Sequence, residues 1–144
     1  VKLPDVNLFL YAYDSRSARH SAARGWVEQT LSGSETVGLS WTVLLAFIRL
    51  STRPAVFEHP FDADEAIELV QSWLDQPCTT VINPTERHAA VLRELLLPLG
   101  SAGNLTTDAH LAALAIEHGA ELCSCDTDFA RFGGLRWADP LRAS

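Results

Sequence analysis

Apolar residues recur in two alternating rhythms along the chain, short runs and helical stripes, with polar or breaking residues between them. Val1–Pro4 reads as a short strand, closed by Pro4, which has no N–H to continue a ladder. Asp5 is placed to cap a helix over Val6–Tyr13, and a second helix is predicted from about Ser17 to Leu31, ending at Ser32-Gly33. Thr36–Leu39 is a short strand candidate. Ser40 caps the next helix, which carries Val43, Leu44, Phe47 and Ile48 and stops before Pro54. Asp62 and Glu65 have capping-box spacing, and Ala63, Ala66, Ile67, Val70, Trp73 and Leu74 then mark one amphipathic face.

The second half repeats the alternation. Cys78–Ile82 is rich in β-branched residues and is expected to be a buried strand. Asn83-Pro84 opens a helix with Leu92, Leu95, Leu96 and Leu99 on its core stripe, and Gly100–Asn104 is a loop. A helix from about Thr107 to His118 ends at Gly119. Glu121–Ser124 is a strand, Asp126–Phe132 a short helical turn, and Leu135–Ala138 a last short strand. Strands separated by helices predict an α/β three-layer sandwich, with a central parallel sheet of four to five short strands flanked by helices. In such sheets ligands bind beyond the carboxyl ends of the strands.

Composition narrows the chemistry. The 144 residues suit a single domain spanning 1–144, and 47% hydrophobic content excludes a disordered chain. No apolar run approaches a membrane span, the opening residues carry no leader pattern, and three cysteines do not make a disulfide framework. A cytoplasmic protein is the expectation. Lys2 is the sole lysine, which excludes a Walker-type phosphate loop and Schiff-base chemistry. The histidines lack zinc-protease spacing, and no nucleophile elbow is present. Cys78, Cys123 and Cys125 read as small buried apolar residues, and the four tryptophans as core or interface. His110, one helical step from Asp108, reads as a partly exposed helix residue.

The formal net charge of −7 argues against loose, non-specific nucleic-acid binding. Yet residues 1–57 hold six basic and four acidic groups, against five and fourteen in residues 58–144. Arg16, Arg19 and Arg24 are spaced to share much of one helix surface. They form either a solvated face or a local grip for phosphates.

The acids at the predicted strand ends carry the sharper signal. Asp5 follows the first strand, and Asp126 and Asp128 follow the strand 121–124. Asp108 shares a helical stripe with Leu111 and Ala115 that faces the sheet. Singly, each has a plain structural reading, as a cap or a dipole complement. Together, three segments bring carboxylates to one sheet edge, and such a cluster needs a cation or raised pKa values. Oxygen-only donors select hard ions such as Mg2+ or Mn2+, which hold phosphodiesters and acidify bound water.

The pieces Leu3-Pro4-Asp5-Val6-Asn7, the run from Asn104 through Thr107-Asp108 to Ala115, and Ser124-Cys125-Asp126-Thr127-Asp128-Phe129 resemble the PIN-domain ribonucleases. Their order and spacing are similar to the VapC toxins of bacterial toxin–antitoxin pairs, over nearly the whole chain. Each motif alone is unspecific; the three in order are not. The arginine bias and nineteen alanines are consistent with an actinobacterial source. The resemblance implies a PIN-like fold and an endoribonuclease using Mg2+, or Mn2+, with Asp5, Asp108, Asp126 and Asp128 at the site. It assigns the metal to Asp5, Asp108 and Asp126, and supporting roles to Asn7 and Ser124. It also implies a small VapB-like antitoxin partner, an RNA substrate such as transfer RNA, and a homodimer without membrane attachment. Arg16, Arg19, Arg24 and Arg49 are the candidate RNA contacts.

One departure stands out. The family usually has glutamate in a Glu-x-x-Arg setting of the middle helix, and this chain reads Ala46-Phe47-Ile48-Arg49 there. The missing acid implies weaker metal binding, one tight ion, or RNA phosphate as an extra ligand. Two alternatives remain at this point. One is a catalytically weakened RNA- or protein-binding module on the same scaffold. The other is a haloacid-dehalogenase-like phosphatase, against which stand Asn7 in Asp5-Val6-Asn7 and the lack of a distal lysine.

Overall fold

A computed structural model of the chain describes residues 1–142. The strands β1 (Lys2–Pro4), β2 (Val37–Leu39), β3 (Thr79–Val81), β4 (Glu121–Cys123) and β5 (Trp137–Ala138) form one parallel sheet in the order β3-β2-β1-β4-β5. Six helices flank it: α1 (Val6–Tyr13), α2 (His20–Leu31), α3 (Trp41–Ser51), α4 (Ala63–Leu74), α5 (His88–Leu96) and α6 (Thr106–Glu117). The chain steps outward from β1 to β3, then returns to the other side of β1 for β4 and β5. That reversal opens a crevice between the carboxyl ends of β1 and β4. The pairing Leu3 with Leu122 and Pro4 with Cys123 fixes which residues emerge there, Asp5 on one side and Ser124 on the other.

Caps set several helix starts as the sequence implies. Asp5 accepts from the Val6 N–H at 2.7 Å, and Ser40 accepts from the Thr42 N–H at 3.2 Å. Asp62 and Glu65 close a reciprocal capping box. Gly119, at φ +63°, turns the chain from α6 toward β4 in a conformation that a side chain disfavours. Alanines 109, 112, 113 and 115 are all buried, so α6 lies close against the core. Leu3, Val37, Leu39 and Leu122 bury the central strands. An aromatic knot ties the helices on one side: Phe9 stacks on Trp73 with ring centres 4.2 Å apart, and Phe47 meets Trp73 edge-on at 4.8 Å.

Several expectations are corrected. The strand expected to be buried over Cys78–Ile82 is Thr79–Val81, and it is the sheet edge, with Val81 37% exposed. Lying outermost, it leaves Thr80 and Val81 exposed, while Ile82 just beyond it is buried. α2 starts at His20 rather than Ser17, so Arg16 and Arg19 precede the helix and do not share its surface with Arg24. The turn is held by the Ser17 hydroxyl, which accepts from the Arg19 N–H. α5 starts at His88, not after Asn83-Pro84, because Thr85 gives its N–H and hydroxyl to the Glu117 carboxylate. The loop 100–104 runs into a short 3-10 turn at Gly103–Leu105. Of the three cysteines only Cys123 is buried.

The four tryptophans separate by environment: Trp73 is 3% exposed and Trp41 45%. Trp73→Ala is expected to cost about 3–5 kcal/mol in urea denaturation. Trp41→Ala should stay within about 0.5 kcal/mol.

Candidate active site

Asp5 is nearly buried, 8% exposed, at the end of β1. One carboxylate oxygen accepts from the Val6 N–H and the other from the Ser124 hydroxyl at 2.7 Å. Burial pushes its carboxyl above the ordinary range, against both hydrogen bonds, and the charge of Asp126 adds to the rise.

Ser124 is fully buried, and its hydroxyl is saturated. It donates to Asp5 and accepts from the Asn7 side-chain amide at 3.0 Å and from the Asp126 N–H at 3.1 Å. The Ser124 carbonyl accepts from the Trp137 indole at 3.0 Å. Asn7 also accepts from the Cys125 N–H at 3.4 Å, so it bridges α1 to the segment after β4. Asp126 caps the 3-10 turn Thr127–Arg131 by accepting from the Asp128 N–H at 2.9 Å. Asp5 and Asp126 are therefore helix caps and site acids at once.

Asp108, in the first turn of α6, completes the group. Its carboxyl is raised from 3.8 to about 6, first by burial and then by the charges of Asp126, Asp5 and Asp128. Asp108, Asp126 and Asp128 each offer an oxygen within 4.8 Å of the others, a spacing suited to one shared cation. Asp5, committed to Val6 and Ser124, lies outside that tight trio but lines the same cleft as Asp108 and Asp126. Asp128, half exposed, stands beside the cleft and does not line it.

The cleft encloses about 610 Å3. Its far wall is α3, which presents Thr42, Leu45, Ala46, Arg49 and Leu50. Ala46 thus occupies the acid-facing wall without contributing an acid. Of the four arginines singled out, Arg49 lines this cleft. Arg16 donates to the Val56 carbonyl at 2.8 Å, Arg24 pairs with Glu28 at 2.8 Å, and Arg19 lies over the Tyr11 ring. Burial raises the Cys123 thiol to about 12 and the Cys125 thiol to about 11, with Asp139 adding to the latter, so both stay protonated at neutral pH.

Sequence reasoning missed a second polar chain behind the wall. His110 is a partly exposed helix residue, as expected, but it also meets Thr42 at 3.1 Å and His88 at 2.9 Å. His88 in turn meets Glu117 at 2.6 Å. Burial, and then the neighbouring His88, lower the His110 pKa. Thr42, His88, His110 and Glu117 come from three helices without any motif spacing, so nothing in the linear pattern joins them.

The PIN-domain family model matches residues 2–135. Ribonuclease VapC37 of Mycobacterium tuberculosis is 44% identical over 140 residues, covering 97% of each chain. Ribonuclease VapC33 of the same organism is 42% identical, over 97% of this chain and 98% of the other. The fold is similar to that in VapBC2 from Rickettsia felis, with TM-score 0.68, 19% identity, and 95% and 96% of the two chains covered. It is also similar to M. tuberculosis VapC20, described as a sarcin-ricin loop cleaving toxin, with TM-score 0.66, 19% identity, and 94% and 99% covered. The chain belongs to the PIN-domain family.

The raised carboxyl of Asp108 has a measurable consequence. Its folded pKa exceeds the ordinary value, so ionisation costs stability, and that cost grows as pH rises from about 4 to about 6. In chelator, Asp108→Asn is expected to melt at a higher temperature than wild type at pH about 7. Below pH about 4, where the aspartate is protonated folded or unfolded, the difference should vanish. Thermal melts across pH check this.

Proposed function

We propose that the chain is the toxin of a VapBC-type pair, a metal-dependent endoribonuclease. The observation that carries this reading is the cluster of acids at the β1–β4 crevice: Asp5, Asp108 and Asp126 line one cleft, and Asp128 stands within reach of the last two. The donor set fits a hard divalent ion: oxygen donors alone, with Asp108, Asp126 and Asp128 close enough to share one, Asp5 lining the same cleft, and mutual repulsion without a cation. Asp5, Asp108 and Asp126 would hold Mg2+, with Mn2+ as substitute, and Asp128 stands beside them. Bound there, such an ion polarises phosphate and acidifies water. The protein's own groups do the rest. Ser124 and Asn7 lock Asp5 and Asp126 in place, and Arg49 on the opposite wall is suited to an RNA phosphate. Arg16, Arg19 and Arg24 already hold protein partners, so they are secondary candidates. Asn7 donates its amide to Ser124, which does not suit the second aspartate role of a haloacid-dehalogenase-like phosphatase.

Partners follow from the same reading. α3 leaves Leu45 59% exposed at the cleft mouth, next to exposed Trp41. An apolar strip beside an acidic cleft suits an amphipathic antitoxin segment carrying a basic side chain, and a second copy of the chain for what remains. Solved structures of similar fold include VapBC complexes, which supports the antitoxin. Transfer RNA is the substrate to try first, with ribosomal RNA as the alternative.

Asp5→Asn and Asp126→Asn retain shape and lose charge. Each is expected to fold and to cleave RNA at least about a hundredfold more slowly, equivalent to chelator treatment of wild type. Growth arrest on induction should vanish with them. Wild-type cleavage rates in Asp5→Asn, or in chelator, would overturn the reading.

Ala46→Glu restores an acid to the wall facing Asp108. Calorimetry should show tighter Mn2+ binding than wild type. Unchanged or weaker binding would mean that position 46 does not reach the ion.

A further inference from the structure

We propose that Thr42 reads the ribose of the bound strand, accepting a hydrogen bond from a 2′-hydroxyl, and that His110, His88 and Glu117 set its direction. The inference rests on the ribonuclease reading for its substrate class but on different residues.

The direction is imposed from the far end. Glu117 has its side chain excluded from solvent, and its carboxylate accepts the Thr85 N–H at 2.9 Å and hydroxyl at 2.6 Å. A carboxylate accepts only, so the His88 Nδ1 facing it at 2.6 Å carries a proton. Burial opposes ionisation of Glu117, but the bonds from Thr85 and His88 prevail and hold its pKa below the ordinary value. With the imidazoles neutral, His88 has only Nε2 left, as an acceptor. His110 Nδ1, at 2.9 Å, is therefore the donor, and its Nε2 is an acceptor. Thr42 Oγ1, at 3.1 Å from that Nε2, must donate its single proton inward.

The consequence lies in the cleft. Thr42 lines it together with Asp5, Asp108 and Asp126. Its proton is spent on His110, so it presents lone pairs to whatever docks beside the acids. A phosphate oxygen is also an acceptor and cannot pair with them. Along the sugar–phosphate backbone of an RNA strand, the one group able to donate is the ribose 2′-hydroxyl, the group that separates RNA from DNA. A threonine without the relay would rotate to serve either donor or acceptor, so the buried chain turns an indifferent hydroxyl into a selective one.

The test is binding without cleavage, at pH about 8, above the ordinary imidazole range, with Ca2+ present to neutralise the acids and strand integrity checked by gel after each titration. Fluorescence anisotropy compares a short single-stranded RNA of randomised sequence with a 2′-fluoro pool, which keeps an RNA-like sugar pucker but has no 2′ donor. Wild type should prefer RNA by about five- to tenfold, the size of one hydrogen bond. Thr42→Val should bind both pools alike, and Thr42→Ser should restore the preference. His88→Phe, away from the cleft, should lose most of it while circular dichroism shows a native fold. Equal binding by wild type, or a full preference in Thr42→Val or His88→Phe, overturns the proposal. Cleavage of the RNA pool in Mn2+ is scored separately. Wild type that shows the preference yet never cuts upholds this inference and sinks the ribonuclease reading. Wild type that cuts without the preference does the opposite.

Discussion

Asp5 carries a carboxylate into the interior at the end of the central strand, and a buried charge is tolerated only where hydrogen bonds replace the lost water. The Ser124 hydroxyl supplies the bond that matters most, because it spans β1 and β4 and has no capacity left over. Its donor goes to Asp5, and its lone pairs go to Asn7 and to the Asp126 backbone. One oxygen atom therefore sets the heights of two acids relative to each other. The β1–β4 register, the start of α1 and the turn after β4 all converge on it. A rigid floor of this kind keeps like charges close when mutual repulsion favours separating them.

Most of the architecture was legible because local signals agreed with the global fold. Asp5, Ser40 and the Asp62–Glu65 pair announced helix starts, and each cap formed. Asp108 could be placed at the sheet edge from its stripe with Leu111 and Ala115, which are buried. The errors have a common physical origin. Thr79–Val81 has the composition of a central strand, but strand order is a tertiary property that composition does not encode. The start of α5 was displaced by Thr85 bonding to Glu117, thirty-two residues away. The histidine pair escaped for the same reason: twenty-two residues separate His88 from His110, and only the packing of α5 on α6 joins them.

α3 shows how one helix serves two demands. Val43, Leu44 and Phe47 face the core, while Trp41 and Leu45 face outward. Val43, Leu44, Phe47 and Ile48 were legible in the sequence as its apolar positions; the outward exposure of Trp41 and Leu45 was not. The same helix carries Ala46 and Arg49 on the cleft side, so the acidic floor faces a wall that is apolar and basic. The cleft is consequently asymmetric in charge, and a polyanion entering it meets attraction from one side only unless cations cover the other.

The bond between Ser124 and Asp5 joins residues 119 positions apart. A contact that distant in sequence carries a larger loop-closure cost than the local helices and turns. During synthesis, the first strand leaves the ribosome long before its neighbour β4 exists, and Asp5 waits there without a lid. The acids cannot meet until nearly the whole outward excursion through β2 and β3 has been made and retraced. The topology thus ties the assembly of this edge to the making of β4 and the turn after it.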